Sequence, residues 1–436
     1  MILTFSCSKY KDFMKIISTS DWHLGNLFHG NDRLPEHQHF LSWLLTQIKE
    51  QQPDALLVAG DVFDNGNPSA AAQSAYYEFL ADATLCCPTM QLIITAGNHD
   101  SASRLEAPRP LLSRYKVEIR GQVQRSWKRE GEQDGWMNHY EDLMIPVSNR
   151  QGEKVLVLAV PYLRADKVQP GNYSKGVNRF LRELTAMARE KYPDMPLLMM
   201  AHMYAQGAEI AAQDASEKIV IGGQEEVNLE GWTEHPDYLT CGHIHKRQPI
   251  WHTDWARYTG SVLPMSFAEI DYQHGVDLIT IQPDGAAKVD FLEYIPQHPL
   301  CILPAHEEGC SPKELKKRIR QELPDRPEHG QLSEHFRYVV LKVKLEKVDH
   351  EMLKELEDLV NQKDAVLCKI QKVMPHLNLT TLYAQQSLTS LDDILHRNPM
   401  DTIREAFILK HNRDMNEQQE ARLQELLQSI QHEFND

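Results

Sequence analysis

Five short polar blocks stand directly after apolar, strand-like runs of the sequence. They are Asp21-Trp22-His23, Gly60-Asp61, Gly97-Asn98-His99-Asp100, His202 and Gly242-His243-Ile244-His245. Aspartate, asparagine and histidine offer oxygen and nitrogen ligands, and no thiolate is among them. Such a ligand set suits Mn²⁺, Fe²⁺ or Zn²⁺ better than copper(I) or an iron–sulfur cluster. The blocks therefore predict a site for divalent metal ions.

The spacing within two of these blocks predicts how their side chains point. Asp21 and His23 are two residues apart, as are His243 and His245. Residues two apart on a strand face the same side, so each pair would aim at one point while the residue between them turns toward packing. The glycines before Asp61, Asn98 and His243 are expected to allow the sharp turns that bring these groups close.

The number of candidate ligands favours a pair of ions. Seven side chains qualify: Asp21, His23, Asp61, Asn98, His202, His243 and His245. Seven is too many for one tetrahedral ion and suits two ions that share a bridging carboxylate, for which Asp61 is the natural choice. Two metals about 3.5–4 Å apart can hold a hydroxide and a phosphoryl oxygen together and so favour displacement at phosphorus.

The elements that must position these blocks follow an alternating pattern from Met14 onward. Strands are predicted at 15–17, 55–58, 92–94, 155–160, 197–200, 238–241, 258–262 and 276–281, and helices near 40–48, 69–82 and 175–191. Runs that are apolar at every residue suit strands covered on both faces, as in a layered α/β domain. In such sheets the loops at the carboxyl ends of strands converge, which would bring the five blocks together.

Composition narrows the class of protein. A chain of 436 residues with 42% hydrophobic residues suggests two or three globular domains. Its seven cysteines form neither a disulfide framework nor a zinc ribbon, which favours a reducing cytoplasm, and no stretch reaches 18 apolar residues, which argues against the membrane. The net charge of −16 would repel DNA unless local cations or a partner reverse the field.

The chain is expected to divide into four parts. A large α/β domain would span 14–285, and a compact α+β module would span 290–380, with a strand at 338–343, a helix at 349–361 and a strand at 365–373. A polar helical tail at 385–436 has an apolar stripe that packs either on its own chain or on a partner. Residues 1–13 add no recognisable element, so Met14 is the expected natural start.

The order of the polar blocks resembles a known family. D-x-H, G-D, G-N-H-[D/E], H and G-H-x-H in that order are similar to the signature of calcineurin-like metallophosphoesterases. The resemblance implies a four-layer β-sandwich flanked by helices. It also implies that one metal is held by Asp21, His23, Asp61 and His245, and the other by Asp61, Asn98, His202 and His243.

The same resemblance assigns the remaining polar residues of the third block. It implies that His99 stays off the metals as the catalytic histidine, which stabilises the transition state and protonates the leaving oxygen, and that Asp100 orients it. Asp64 stands where archaeal and eukaryotic relatives have a second histidine, so a two-histidine mechanism is not implied. Four cations near the blocks, Arg104, Arg164, Lys246 and Arg247, are candidates for contacts with DNA phosphates.

Longer stretches look more narrowly like the SbcD family of bacterial exonuclease subunits. They are "TSDWHLG", "VAGDVFDNGNPS", "TAGNHDS", "VPYLR" and "CGHIHKRQPI". This resemblance implies an Mn²⁺-dependent 3′-to-5′ exonuclease and single-strand endonuclease for DNA repair, with a DNA-recognising capping domain. It further implies a homodimer and C-terminal helices that bind an SbcC-type ABC ATPase.

Two other functions remain open at this level. A metal centre of this type does not choose its substrate, so the chain could be a phosphoesterase for a phosphoprotein, a nucleotide or a lipid headgroup. It could also be a catalytically idle scaffold for the ATPase, although such scaffolds tend to have lost ligands and none is missing here. Mg²⁺, Fe²⁺ or Zn²⁺ could take the place of Mn²⁺.

Overall fold

The computed structural model describes residues 14–128, 135–165, 168, 172–210, 226–229, 231–305, 308–327, 330–345 and 349–373. The predicted extension at 1–13 and the predicted tail at 385–436 lie outside these residues. The chain divides into a large unit, Met1–Val343 with Asp349–Gln371, and a small one, Lys344–Val348 with Lys372–Asp436. Nearly all of the small unit lies outside the described residues.

Nineteen strands and seven helices are described. In chain order the strands are β1 (Met14–Thr19), β2 (Leu27–Phe28), β3 (Asn31–Asp32), β4 (Ala55–Ala59), β5 (Gln91–Thr95), β6 (Val117–Arg120), β7 (Arg125–Lys128), β8 (Gly135–Asn138), β9 (Met144–Ser148), β10 (Lys154–Ala159), β11 (Leu197–His202), β12 (Tyr238–Gly242), β13 (Gln248–Pro249), β14 (Ala256–Tyr258), β15 (His274–Ile281), β16 (Ala287–Tyr294), β17 (Leu300–Leu303), β18 (Arg337–Lys344) and β19 (Ala365–Val373). The helices are α1 (Leu34–Gln51), α2 (Ala70–Cys86), α3 (Ala102–Glu106), α4 (Arg109–Leu112), α5 (Tyr173–Lys191), α6 (Pro312–Glu322) and α7 (His350–Val360). Among the described residues no helix has the length and apolar content needed to cross a bilayer.

Two six-stranded sheets form the centre of the fold. The first has the order β16-β15-β1-β4-β5-β6, and the second has the order β13-β14-β12-β11-β10-β9. In the first sheet β1, β4, β5 and β6 run parallel, and in the second β10, β11, β12 and β14 do. The antiparallel pairings flank these parallel cores, with β15 and β16 on one side of the first sheet and with β9 and β13 at the two edges of the second. The parallel core of each sheet therefore presents its carboxyl ends on one side.

The strands are apolar at every residue because each sheet is covered on both faces. In β4, Leu56 and Val58 pack with the residues of α1 and α2, whereas Ala55, Leu57 and Ala59 pack against the second sheet. The outer face of the second sheet packs on α5 through residues such as Phe180. This alternation confirms the predicted four-layer α/β sandwich, with helices outside and the two sheets within.

The polar blocks lie where the two sheets meet. Hydroxyl groups join the sheets at this end, since Ser18 Oγ lies 2.7 Å from Thr240 Oγ1 and Ser20 Oγ lies 2.6 Å from Thr259 Oγ1. The loops that follow β1, β4 and β5 in the first sheet therefore face those that follow β11 and β12 in the second.

A third, three-stranded sheet follows, with the order β17-β18-β19 and with α6 and α7 packed together. The predicted strands at 338–343 and 365–373 and the helix at 349–361 are confirmed as β18, β19 and α7. Tyr338 of β18 donates a hydrogen bond to Glu36 of α1 over 3.0 Å, and its ring lies 5.0 Å from that of Phe28. The small sheet thus rests on the first turn of α1.

Two predicted boundaries need correction. The strand expected at 258–262 is β14, which starts at Ala256 and ends at Tyr258, because Gly260 adopts a left-handed φ of 80° and turns the chain. Residues 287–294, which the predicted boundary at 285 leaves out of the first domain, form β16 and pair with β15 in the first sheet.

Candidate metal centre

Several of the candidate ligands are oriented by a left-handed backbone conformation and not by the alternation of side chains along a strand. β1 ends at Thr19 and β12 at Gly242, so the D-x-H and H-x-H pairs lie in loops. Asp21, His23 and Asp61 have φ values of 51°, 47° and 49°, and His243 has 98°. Non-glycine residues rarely adopt this region, and such strain concentrates at functional sites. The pairs do converge, as predicted, but for a different reason.

The residue between each pair anchors its loop in the core. Trp22 is fully buried, donates from Nε1 to Thr19 Oγ1 over 2.9 Å and meets the ring of Phe79 edge-on at 5.4 Å. Ile244 is likewise buried in the core beneath the second sheet. The prediction that these two residues turn toward packing is confirmed, and each anchors its loop in the core.

Two glycines provide room for the ligands. A Cβ atom at Gly97 would overlap the carboxylate of Asp61, and one at Gly60 would overlap the ring of His202. Gly60 also has a left-handed φ of 83°, whereas Gly97 does not. Gly97 is therefore needed for close approach and not, as the sequence predicts, for a sharp turn.

The first group of candidate ligands comprises Asp21, His23 and His245. One ligand atom from each lies within 4.8 Å of the others, and all three residues are buried. His23 Nε2 lies 3.8 Å from Asp61 Oδ2 and has no hydrogen-bond partner among the described residues. A buried nitrogen without a partner is costly, which is consistent with a role for this atom as a metal ligand.

The second group comprises Asp61, Asn98, His202 and His243. Asn98 Oδ1 lies 2.9 Å from His202 Nε2 and 3.0 Å from His243 Nδ1. His202 Nε2 is also 3.3 Å from Asp61 Oδ2, and its Nδ1 lies 2.9 Å from the carbonyl oxygen of Ala59. The Ala59 contact fixes the ring so that Nε2 points at the carboxylate and the amide.

Asp61 lies between the two groups. Its Oδ2 is within 4 Å of a ring nitrogen from each, His23 on one side and His202 on the other. Its Oδ1 accepts a hydrogen bond from the backbone amide of His99 over 2.8 Å. The Asp61 carboxylate is thus close to candidate ligands of both groups, as its predicted bridging role requires.

Asp61 and His202 stabilise each other's charged forms at the centre. Burial works to raise the pKa of Asp61, but the charge and hydrogen bond of His202 outweigh it and hold that pKa well below its ordinary value. Burial works to lower the pKa of His202, and Asp61 raises it to about 9. Burial lowers the pKa of His243 to about 3, which leaves this imidazole neutral and able to ligate.

His99 stands beside the first group without joining it. Its ring centroid lies 4.8 Å from that of His23, and its Nδ1 lies 2.7 Å from the backbone carbonyl oxygen of Asp64. Asp64 Oδ1 is 3.9 Å from His23 Nδ1 and accepts from Asn26 Nδ2. His23, Asp64 and His99 form a further set of potential ligand atoms within 4.8 Å.

The predicted role of Asp100 changes in the structure. Asp100 is buried, and its carboxylate accepts hydrogen bonds from three backbone amides: Val62 at 3.1 Å, Phe63 at 2.9 Å and Gly97 at 2.9 Å. Burial raises its pKa to about 6, and the charge of Asp61 adds to the effect. Asp100 thus ties the Asp61 loop to the Asn98 loop, and His99 donates from Nδ1 to the Asp64 carbonyl oxygen instead of to Asp100.

Comparison with known proteins agrees with this geometry. A family model described as calcineurin-like phosphoesterase matches residues 14–247, which include all seven candidate ligands. The chain belongs to this family. Within the calcineurin-like phosphoesterases its relatives include bacterial proteins that are named as the SbcD component of the nuclease SbcCD. The one from Rhodobacter capsulatus is 34% identical over 325 residues, 72% of this chain and 77% of the relative.

Two further calcineurin-like relatives bear the same name. The protein from Escherichia coli K12 is 30% identical over 306 residues, 66% of this chain and 70% of the relative. The protein from Bacillus subtilis 168 is 30% identical over 276 residues, 63% of this chain and 68% of the relative. The aligned portions exceed the metal-binding loops, so the likeness to SbcD proteins extends well beyond the family signature.

The four candidate phosphate contacts differ in their surroundings. Arg104 and Arg164 are exposed, and Arg104 donates to Asn67 Oδ1 over 2.7 Å. Lys246 forms an ion pair with Glu209. Arg247 is bound to the buried Asp277 over 2.7 Å and lies 4.4 Å over the ring of Phe291, so its environment is that of a structural residue.

Glu269 is a site residue that sequence reasoning missed. It is fully buried, its Oε1 lies 2.9 Å from His245 Nδ1, and its Oε2 accepts from the amide of Met265 over 2.8 Å. A carboxylate behind a ligating histidine fixes the ring orientation and makes the other nitrogen a better donor to a metal. Glu269 lies 24 residues after His245 in a short 3₁₀ turn, and no spacing rule connects the two.

Proposed function

We propose that this protein is a metal-dependent DNA nuclease of the SbcD type, which hydrolyses phosphodiester bonds as a 3′-to-5′ exonuclease on duplex ends and as an endonuclease on single strands and hairpins. The observation that carries the proposal is the convergence of six other candidate oxygen and nitrogen ligands around Asp61. The SbcD relatives, which align over as much as 72% of the chain, support DNA as the substrate.

The ligand set fits two divalent ions. Asp21, His23, Asp61 and His245 would hold one, and Asp61, Asn98, His202 and His243 would hold the other. When bound, such a pair supplies a nucleophilic hydroxide and neutralises charge on the phosphoryl oxygens. Hard carboxylate and amide oxygens mixed with imidazoles favour Mn²⁺, with Mg²⁺, Fe²⁺ and Zn²⁺ as competitors.

His99 would handle the leaving oxygen. Because its Nδ1 faces the Asp64 carbonyl, Nδ1 carries a hydrogen and Nε2 is the atom that can exchange a proton. An imidazolium proton on Nε2 can pass to the departing 3′ or 5′ oxygen, while the fixed Nδ1–H contact keeps the ring from turning. This assigns proton transfer to one histidine, with no contribution from the Asp64 side chain.

The decisive experiment measures cleavage and metal binding separately. With Mn²⁺ the purified protein should nick single-stranded circular DNA, and His99→Ala should lower the rate by about 10²- to 10⁴-fold, the contribution of one general acid. Both proteins should still bind two Mn²⁺ ions by calorimetry. His139→Ala, at an exposed histidine, is the matched control and should behave as the wild type.

Three outcomes would redirect the assignment. Full activity of His99→Ala would remove that residue's role. Faster hydrolysis of a small aryl phosphate than of DNA would favour a phosphoesterase for a phosphoprotein, a nucleotide or a lipid headgroup. Fewer than two bound ions without cleavage of any ester would favour an idle scaffold.

An SbcC-type ABC ATPase with a long coiled coil is the proposed partner. The relatives' name identifies a two-component complex, and the net charge of −16 makes a cation-rich partner useful for holding DNA. We assign partner binding to 385–436, DNA seating to the small module at 290–380, and a homodimer within a heterotetramer to the assembly. The proposed compartment is the cytoplasm, in keeping with the free thiols of all six described cysteines.

A further inference from the structure

An aromatic cavity of about 680 Å³ opens beside the second sheet. Three tryptophans, Trp232, Trp251 and Trp255, line it together with His235, and we call it the tryptophan cavity. His235 stacks on Trp255 with ring centroids 4.0 Å apart and planes 5° from parallel, while Trp232 meets Trp255 edge-on at 6.0 Å. Rings fixed in this way form a platform on which a further flat ring can stack.

The tryptophan cavity is joined to the metal centre through the backbone. Gln206, which lines the cavity, lies four residues after His202, and Trp251 lies six residues after His245. The indole nitrogen of Trp251 donates to the carbonyl oxygen of Gln206, which closes the two loops on each other. Trp251 holds a left-handed φ of 51°, a strained conformation for an aromatic residue.

The lining of the tryptophan cavity is neutral. Its described polar residues include the carboxamides Gln206 and Asn228, and no aspartate, glutamate, lysine or arginine is among the described residues that line it. A volume of this size lies within the range of small-molecule sites. Aromatic walls with amide groups suit a flat, uncharged, hydrogen-bonding ring such as a nucleobase.

A basic groove lies against the same segment. It has a volume of about 340 Å³, is lined by Lys175, Arg179 and Arg182 of α5 with one acidic residue, Glu183, and shares Asn228 with the tryptophan cavity. We call it the α5 groove. Its three cations are spaced four and three residues apart, which places them on one face of the helix.

The two cavities are held in contact. Asn178 of α5 donates to the carbonyl oxygen of Asn228, and the guanidinium of Arg182 lies 5.9 Å over the ring of Trp232. Glu183 is bound to Arg179 over 2.6 Å, and Lys175 and Arg182 remain in excess of the acidic charge. This local positive charge stands out on a chain whose net charge is −16.

We propose that the tryptophan cavity and the α5 groove together bind single-stranded DNA, with an unpaired base stacked in the cavity and an adjoining phosphate in the groove. Neighbouring aromatic and cationic surfaces are what a nucleic-acid single strand requires. A duplex keeps its bases stacked inside and cannot offer one to the cavity. This inference deepens the proposed nuclease function and rests on it, because it names the form of DNA that is retained beside the metal centre.

The test measures binding without cleavage. Metal-free protein in EDTA is titrated into a 5′-fluorescein 12-residue oligothymidylate and, separately, into a labelled blunt duplex, and fluorescence anisotropy is recorded. Trp251→Ala should weaken binding of the single strand by about 5- to 150-fold, the range expected for stacking of one base. Trp251→Phe, which keeps an aromatic ring, should recover most of the affinity and guards against misfolding of the alanine variant.

The charge component is tested in the same assay. The double variant Lys175→Glu/Arg182→Glu should weaken single-strand binding. It should also make the plot of log affinity against log salt concentration less steep, by about 0.7 per lost phosphate contact. The matched controls are Trp136→Ala, whose ring is 65% exposed on the β7–β8 hairpin, and Lys288→Glu, whose side chain is 71% exposed on β16. Neither control should change the affinity.

Several results would overturn the inference. They are unchanged affinity in the Trp251→Ala and double charge variants, equal losses in the controls, or equal loss of duplex binding. If an aromatic or proline-rich peptide bound in the tryptophan cavity and the oligonucleotide did not displace it, the cavity would be assigned to protein recognition. Mn²⁺-dependent cleavage by wild type alongside any of these would leave the nuclease assignment standing, whereas a wild type that neither binds nor cleaves DNA would remove both.

Discussion

The Nδ1 atom of His99 lies 2.7 Å from the backbone carbonyl oxygen of Asp64. A main-chain atom therefore orients this ring, and the side chain at position 64 is not needed for that purpose. The side chain of Asp64 is a carboxylate that accepts a hydrogen bond from Asn26 and lies 3.9 Å from a ring nitrogen of His23. The arrangement separates the orientation of the catalytic ring from the identity of residue 64.

Asp64→Ala should consequently be a mild substitution. We expect kcat on single-stranded DNA to fall by less than about tenfold, against the about 10²- to 10⁴-fold that loss of a general acid costs. Parallel steady-state kinetics of Asp64→Ala and His99→Ala measure the difference. Equal losses in the two variants would mean that the Asp64 carboxylate takes part in the reaction.

Gly97→Ala should damage the metal centre although it leaves the ligands unchanged. A Cβ atom at this position would collide with the Asp61 carboxylate, which must then move away from the bridging position. We expect Mn²⁺ affinity to fall by at least about tenfold, by analogy with other supports of metal ligands. Calorimetric titration of the metal-free protein measures this loss.

Gly330→Ala is the control for Gly97→Ala. Gly330 has a left-handed φ of 71°, but nothing lies within 4 Å of its added Cβ. The substitution should therefore cost about 1 kcal/mol of stability through backbone strain and leave Mn²⁺ affinity intact. Metal binding by Gly97→Ala equal to that of Gly330→Ala would contradict the steric argument.

Glu269→Ala should weaken metal binding indirectly, because Glu269 contacts the candidate ligand His245 and would not itself bind the ion. Without the carboxylate the His245 ring loses its partner at Nδ1 and the Met265 amide loses its acceptor. Loss of such a supporting contact typically costs about 10- to 100-fold in metal affinity. Glu269→Gln, which keeps one oxygen, should recover part of the loss, and the exposed Glu293→Gln should have no effect on the Mn²⁺ titration.

We expect the free energy of unfolding to decrease below about pH 6.5 because of His37. Burial, helped by the charge of Arg33, lowers its pKa from 6.5 to about 3. The folded state thus holds His37 neutral, whereas the unfolded chain binds a proton below pH 6.5. Its contribution is complete above that pH and is lost by about 1.4 kcal/mol for each unit as pH falls toward 3.

Urea unfolding at pH 7.5 and 5.5 measures this linkage. The drop in unfolding free energy between the two values should be smaller by about 1.4 kcal/mol in His37→Asn than in the wild type. The comparison of two pH values within each protein cancels the cost of the substitution itself. The exposed His139→Asn should keep the wild-type drop.

The sequence predicted the layers and the ligand blocks because both depend on local pattern. Strands such as β4 are apolar at every residue, and the blocks follow the strands directly. The left-handed backbone conformation of Asp21 and His23 could not be predicted, since it depends on tertiary contacts such as their backbone hydrogen bonds to Gly60 and Asp61. Side-chain alternation along a strand correctly predicted that each pair of ligands converges, but the pairs lie in loops and converge for a different reason.

Contacts between segments that are distant in the sequence could not be predicted from local sequence patterns either. Glu269 reaches His245 only because the chain reverses at Gly260 and re-enters the first sheet as β15. The hydrogen bonds of Asp100 to the backbone amides of Val62, Phe63 and Gly97 depend on the meeting of two loops, whereas the family resemblance implied that it orients His99. Both cases need tertiary structure.

The ligands of the second proposed ion come from both sheets, Asp61 and Asn98 from the first and His202 and His243 from the second. An ion bound there would link the two sheets of the sandwich through its ligands. At a free metal concentration 100 times the dissociation constant, each ion would add about 2.7 kcal/mol against unfolding. Chelation should therefore lower the free energy of unfolding by that amount for each ion, while the apolar contacts between the two sheets keep the metal-free protein folded.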